Sequence, residues 1–156
     1  MNHNDRLTRL RYALDIKDSD MIEIFRLGGE TVTKEEYLSM LRKKNEDDYE
    51  LELSDESFER FLNGIIISQR GAKKDSPEPV FELRQGNANN VMLKKLKIAL
   101  KLTSDEMLDI LDGVGVTVSK SEMSAFLRKE GHKNYKTCGD NYTRNFLKGL
   151  IELYRK

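Results

Sequence analysis

An internal duplication limits what this chain can fold into more than any motif within it. Sliding the sequence by 86 places sets Leu7, Leu10, Ala13, Leu14, Met21, Ile24, Gly29, Thr31, Val32, Lys34, Glu36, Leu41, Arg42, Lys43 and Tyr49 on identical residues, from Leu93 to Tyr135. Dropping one residue after Tyr49 then sets Asp55, Phe61, Leu62, Gly64, Ile66 and Arg70 on Asp140, Phe146, Leu147, Gly149, Ile151 and Arg155. A repeat of this period is one supersecondary unit used twice. Whatever residues 7–70 form, residues 93–155 should form again. The matched residues are mostly apolar or helix-capping, so the repeat constrains architecture and leaves chemistry open.

A unit of about 65 residues buries too little surface to be comfortable alone, so the two halves are expected to pack on each other. The expected division is a first repeat over 1–71, a Pro-containing linker over 72–89 and a second repeat over 90–156. Within each repeat the spacing is helical. Leu7, Leu10, Ala13 and Leu14 form one stripe, and Leu93, Leu96, Ala99 and Leu100 repeat it. A first helix is therefore expected from about Asp5 to Asp15, with Lys94, Lys97 and Lys101 sharing another face of its second copy. Second helices are expected around Asp18–Leu27 and Ser104–Asp112, the latter opened by a Thr103-x-x-Glu106 capping box. Glycines (Gly28-Gly29, then Gly113 and Gly115) are expected to end them, since positive φ is cheap there. Thr33-x-x-Glu36 and Ser119-x-x-Glu122 read as further capping boxes opening third helices, each closing on Leu-Arg-Lys. Asp55 and Asp140 sit where the N-caps of fourth helices belong. Thr31-Val32 and Thr117-Val118 are β-branched but too short for a sheet.

Between the repeats, Ser76-Pro77-Glu78-Pro79 should be extended, since proline excludes helix and biases its predecessor. Val80, Phe81 and Leu83 are apolar enough to dock on a helical surface, and Asn89 or Asn90 is expected to cap the fifth helix. The fold class is all-α: a four-helix unit in tandem.

Formal net charge is zero, yet its distribution is not even. Residues 1–71 hold 11 Lys/Arg against 16 Asp/Glu, a balance of −5, while residues 86–156 hold 13 against 8, a balance of +5. Opposite halves attract each other, and the basic one could also steer an anionic partner. A single cysteine, Cys138, excludes an internal disulfide framework. The first residues carry no apolar stretch, so no signal peptide is expected. The longest apolar run, Ile65-Ile66-Ile67, falls far short of the ~20 residues of a membrane span. A soluble cytoplasmic chain, away from membranes, is the expectation.

Three groups of residues are candidate sites. The repeated pairs Arg42-Lys43 and Arg128-Lys129, with Lys94, Lys97 and Lys101, could contact phosphates or a partner. The competing reading is that cations near a helix C-terminus complement its dipole by ~0.3–1 kcal/mol. Helices two and three loosely resemble a helix-turn-helix pair, but the turn is too long, and Glu35 and Glu36 lie on the would-be recognition helix. His132, Cys138 and Asp140 form the second group. A structural zinc site needs four ligands in paired spacing and a Cys–His nucleophile needs hydrogen-bond reach. The first repeat has Glu46 and Leu53 at the His and Cys positions, so a buried packing role for Cys138 competes with catalysis or metal binding. Third, Gly64 and Gly149 each interrupt a fourth helix at a cost of ~1 kcal/mol relative to alanine, which close helix–helix approach would explain. Gly113-Val114-Gly115 is no dinucleotide fingerprint, because no strand precedes it.

Several stretches together resemble the YehS-like family, domain of unknown function 1456: Asn89-Asn90-Val91-Met92-Leu93-Lys94-Lys95-Leu96-Lys97-Ile98-Ala99, Phe126-Leu127-Arg128-Lys129 with His132-Lys133-Asn134-Tyr135 and Cys138-Gly139-Asp140, and Asn145-Phe146-Leu147-Lys148-Gly149-Leu150. Phe61-Leu62-Asn63-Gly64-Ile65 with Arg70-Gly71 adds to it. The resemblance covers essentially the whole chain in the same tandem order. It implies a small bacterial cytoplasmic protein of uncharacterised activity and supplies no catalytic residues. The family pattern carries Cys-x-Asp in both halves, whereas the first half here reads Leu53-Ser54-Asp55, which counts against paired-cysteine chemistry. The expectation is a non-enzymatic helical interaction module, regulatory in role, binding a protein partner or itself, without catalytic residues, metal or cofactor. The alternative is a nucleic-acid-binding regulator using the basic second repeat, and the third choice is an enzyme or metal site around Cys138.

Overall fold

The computed structural model describes residues 1–71 and 81–155. Among these lie eight α-helices and no strand: α1 His3–Ala13, α2 Asp18–Leu27, α3 Lys34–Leu41, α4 Asp55–Arg70, α5 Ala88–Ala99, α6 Ser104–Asp112, α7 Lys120–Leu127 and α8 Asp140–Tyr154. The one isolated bridge, Lys43 to Tyr49, closes the loop after α3. Ser76-Pro77-Glu78-Pro79 and Val80 lie outside the described residues.

Local chemistry sets most of the boundaries. Thr33 and Thr103 open α3 and α6 with complete capping boxes to Glu36 and Glu106. α1 starts earlier than its apolar stripe suggests, because Asn2 and Asp5 form a capping box ahead of it. Both first helices end in the same way. Asp15 and Lys101, 86 places apart, take φ of 53° and 56°, and the residues after them donate back to Arg11 and Lys97 carbonyls at 3.0 Å. That is a Schellman-type stop built without glycine. Lys101 therefore stands outside α5 and does not extend the face of Lys94 and Lys97.

Other expectations need correction. Ser54 and Gly139, not Asp55 and Asp140, are the N-caps of α4 and α8; the aspartates are the first helical residues, where their charge favours the dipole. Ser119 accepts from the Glu122 amide, but no bond returns from Glu122, whose carboxylate pairs with Lys136 instead. Asn89 and Asn90 do not cap α5. The helix starts at Ala88 after Asn87, and both asparagines are buried inside it.

Each half wraps its fourth helix on its second. A Cβ on Gly64 would lie 1.9 Å from the Ile24 carbonyl oxygen, and one on Gly149 would lie 2.6 Å from that of Ile110. The glycines exist because backbone meets backbone there. Between the halves, α4 packs on α5 and α1 packs on α8. Exchanging α1 with α5 and α4 with α8 maps one seam onto the other, so the halves are related by a pseudo-two-fold. Matching hydrogen bonds support this: Arg70 donates to the Ile98 carbonyl and Arg155 to that of Tyr12, both at 3.2 Å. One continuous apolar core spans both halves, with Leu7, Leu10, Phe25, Tyr37, Phe58 and Phe61 on one side and Met92, Leu96, Met107, Phe126, Phe146 and Leu150 on the other.

Candidate functional site

Two buried asparagines hold the loops that lead into α4 and α8. Asn4 donates to the Met40 and Leu51 carbonyls at 2.9 and 2.8 Å and accepts from the Leu53 amide at 3.0 Å. Asn90 repeats each bond, to Phe126, Lys136 and Cys138, at 3.0, 2.8 and 2.9 Å. Buried backbone groups need partners, and here one side chain serves three of them in each half.

Cys138 belongs to this clasp. Its amide is bound by Asn90, and its thiol is buried against Thr143, with Sγ 3.6 Å from Oγ1. Burial pushes the thiol up to about 11, which opposes thiolate formation at neutral pH. His132 is exposed; its Nδ1 accepts from the Asn134 amide at 3.0 Å, within a turn of its own. Asp140 accepts from Asn89 at 2.8 Å, through the same Nδ2 that donates to the Cys138 carbonyl at 3.0 Å, and from the Met1 amino group at 2.9 Å. These bonds hold its carboxyl below the usual carboxylate range, Asn89 contributing most. Among the described residues, no group of three His, Cys, Asp or Glu side chains is placed to hold a metal ion.

Near the pseudo-axis, His3 and Asn89 are counterparts. His3 Nε2 lies 2.6 Å from Asp55 Oδ1, as Asn89 lies against Asp140, and buried Arg6 links the two with Nε donating to Asn89 at 2.9 Å. Burial lowers the His3 pKa, partly offset by the bond to Asp55.

The basic candidates divide unequally. Lys94, Lys97 and Arg128 line one concave surface of about 400 Å³ with Ile98, Ser104 and Leu127. Lys129 joins Lys94 and Arg128 around an adjoining cleft of about 440 Å³ that also contains Glu82 and Glu130. The first-half pair is engaged within its own loop: Arg42 reaches Glu50 at 3.4 Å, and Lys43 lies 5.7 Å over the Tyr49 ring. Both pairs follow their helices in extended backbone.

The seams between the halves hold what sequence reasoning missed. On the α4/α5 seam, Glu59 is 1% exposed and accepts from the backbone amides of Glu82 and Leu83 at 2.8 and 2.7 Å. The Arg60 guanidinium lies 4.9 Å from the Phe81 ring centre, Lys94 is 3.6 Å from the Glu82 carboxylate, and Lys95 is 3.5 Å from Glu59. Residues 81–83 thus lie along this seam as a strip without regular secondary structure; Leu83 docks on the core as its apolarity suggested, whereas Phe81 stays 41% exposed beneath the Arg60 guanidinium. On the α1/α8 seam the equivalent place is a groove of about 510 Å³ lined by Thr8, Arg9, Tyr12, Asn141, Arg144, Asn145, Leu147, Lys148 and Ile151. Arg144 stands where Glu59 stands, Arg9 where Lys95 stands, and Lys148 where Asn63 stands. The signal was available: aligning the repeats shows a Glu-to-Arg exchange at 59/144 on otherwise similar helices.

The family model for "Protein of unknown function (DUF1456)" matches residues 3–71 and 89–156, once per half. The chain belongs to this family. A relative named Uncharacterized protein YehS, from Escherichia coli (strain K12), is 39% identical over 150 residues, covering 96% of this chain and 94% of that one. No solved structure matches the chain. The first matched range contains Asn4, α1 and α4, and the second contains Asn90, α5 from Asn89 onward and α8, while residues 81–83 lie between the two. No helix among the described residues is long and apolar enough to cross a membrane.

Proposed function

We propose that this chain is a non-enzymatic interaction module of the bacterial cytoplasm, regulatory in role, whose ligand is a protein partner held in the groove between α1 and α8. One observation carries the reading. The same repeat unit, on its α4/α5 seam, already holds a non-helical stretch of polypeptide, residues 81–83, through buried Glu59. The α1/α8 seam offers the equivalent surface with no described residue lying along it, and its cationic side chains Arg9, Arg144 and Lys148 are all exposed. The buried, protonated Cys138 and the separation of His132 from it give a catalytic reading no assembled machinery.

Affinity capture from the source cytosol, with nucleic acid digested in a parallel arm, tests this. Capture should survive digestion, persist in Lys94→Glu/Lys97→Glu/Arg128→Glu and fail in Arg144→Glu/Lys148→Glu. The reverse pattern would favour the second reading, a nucleic-acid regulator using Lys94, Lys97, Arg128 and Lys129. That reading is supported by the gathering of these side chains on one face of the basic half. Its own signature is salt: log affinity for duplex DNA should fall by roughly 0.9 per neutralised phosphate for each unit of log salt.

A further inference from the structure

Glu59 and Arg144 occupy the same position in a repeated scaffold and carry opposite chemistry. A carboxylate only accepts hydrogen bonds and a guanidinium only donates them. On the α4/α5 seam, Glu59 therefore takes backbone amides, those of Glu82 and Leu83. On the α1/α8 seam, Arg144 can engage only acceptors, which means backbone carbonyls and side-chain carboxylates. Arg9 and Lys148 add two further cations, and the side chains lining the groove include no carboxylate. Between the cations lie the buried Leu147, the half-buried Ile151 and the Tyr12 ring, the last 49% exposed and covered on one side by Arg155, 3.9 Å from its centre. The groove thus pairs an apolar floor with cationic walls, in the place where the opposite seam seats a non-helical strip.

We propose that the α1/α8 groove docks an extended acidic segment of the partner protein. In that segment Asp or Glu side chains flank an apolar residue, the carboxylates pair with Arg9, Arg144 and Lys148, and the apolar side chain rests on Leu147 and Ile151. Bidentate arginine–carboxylate geometry supplies register as well as attraction. The inference rests on the protein-binding reading above and adds the chemistry of what is bound.

A random dodecapeptide display library selected on the full-length chain tests it. The pool should be enriched in Asp and Glu around an apolar residue. A fluorescein-labelled peptide of the enriched consensus should bind the wild-type chain and lose about tenfold or more in affinity for Arg144→Glu, as expected when a close charge pair becomes a repulsion. A peptide with only the acid that pairs with Arg144 replaced by lysine should recover binding to Arg144→Glu, and Arg128→Glu should leave the acidic peptide unaffected. Both replaced residues are exposed, and circular dichroism would show the variants folded. A pool that binds through Arg144 and Ile151 but lacks acidic enrichment overturns the acidic chemistry and leaves the protein-binding reading standing. A pool with no dependence on the groove overturns both. Displacement of the acidic peptide by a 20-base-pair duplex, with loss of duplex binding in Arg144→Glu, would assign the groove to nucleic acid and overturn the proposal.

Discussion

At the α4/α5 seam a buried carboxylate, Glu59, is surrounded by Lys95, two backbone amides and the strip 81–83, while at the α1/α8 seam Arg144 stands in the same place with its guanidinium in solvent. Elsewhere the two halves keep to one plan: the same asparagine clasp, the same left-handed stop after the first helix, the same glycine against the second helix. The difference teaches where a duplicated scaffold is free to diverge. The asparagine that satisfies each half's own loop is kept in both copies, because an unpaired buried backbone group costs as much in one half as in the other. Groups on the seam surface have no such constraint once the strip occupies only one side.

The sharpest way to break this comparison is to truncate each of the two positions in turn. Glu59→Ala leaves Lys95 without its charge partner and two backbone amides without an acceptor, so it should destabilise the chain by roughly 3–5 kcal/mol. Arg144→Ala, at the equivalent position, should change stability by no more than about 0.5 kcal/mol. Urea denaturation followed by circular dichroism measures both, and similar losses at the two sites would contradict the asymmetry.

The asparagine clasp should behave in the opposite way. Asn4→Ala and Asn90→Ala each strand three backbone groups and should each cost about 2–3 kcal/mol, with the two values close to one another. A large inequality would show that the two halves do not depend on the clasp alike. The interhelical glycines come next. Overpacking typically costs about 1–3 kcal/mol. Gly64→Ala should lie at the upper end, since its Cβ would sit 1.9 Å from a backbone oxygen, and Gly149→Ala lower, since its nearest obstacle is the Ile110 Cγ2 at 2.5 Å.

The smallest expected effect concerns pH and the His3/Asn89 pair. Burial lowers the His3 pKa below its ordinary 6.5, so the unfolded chain takes up the proton first. Stability from this group is therefore complete above about pH 6.5 and falls as the solution is acidified below it. His3→Asn makes this position match its counterpart and should flatten the pH dependence of the melting temperature between about pH 7 and 5. His132→Asn is the control and should leave that dependence in place.

Much of the fold was legible in the chain itself. The stripes Leu7/Leu10/Leu14 and Leu93/Leu96/Leu100 placed the first helices, Thr33 and Thr103 marked true caps, and Gly64 and Gly149 correctly signalled close approach. The errors share a physical origin. Ser54 and Asp55 are adjacent and both suit an N-cap, and only the backbone angle, extended at Ser54, separates them. Lys101 continued the spacing of Lys94 and Lys97 across a left-handed turn that a lysine rarely adopts. Asn89 and Asn90 both suit a cap by residue type, and their actual partners, among them the Phe126, Lys136 and Cys138 carbonyls, are distant in sequence. Arg9, Arg144 and Lys148 went unread because they converge only once α1 lies on α8, a seam that no single-helix pattern reveals.

Among the described residues, the α1/α8 groove is the unfilled counterpart of the occupied α4/α5 seam. The most direct test is a titration of the ¹⁵N-labelled full-length chain with the selected acidic peptide, followed by amide chemical shifts. The account predicts perturbations confined to residues 8–12 of α1 and 141–151 of α8, absent in Arg144→Glu. Perturbations centred instead on Lys94, Lys97 and Arg128, or on Glu59 and the strip 81–83, would contradict it.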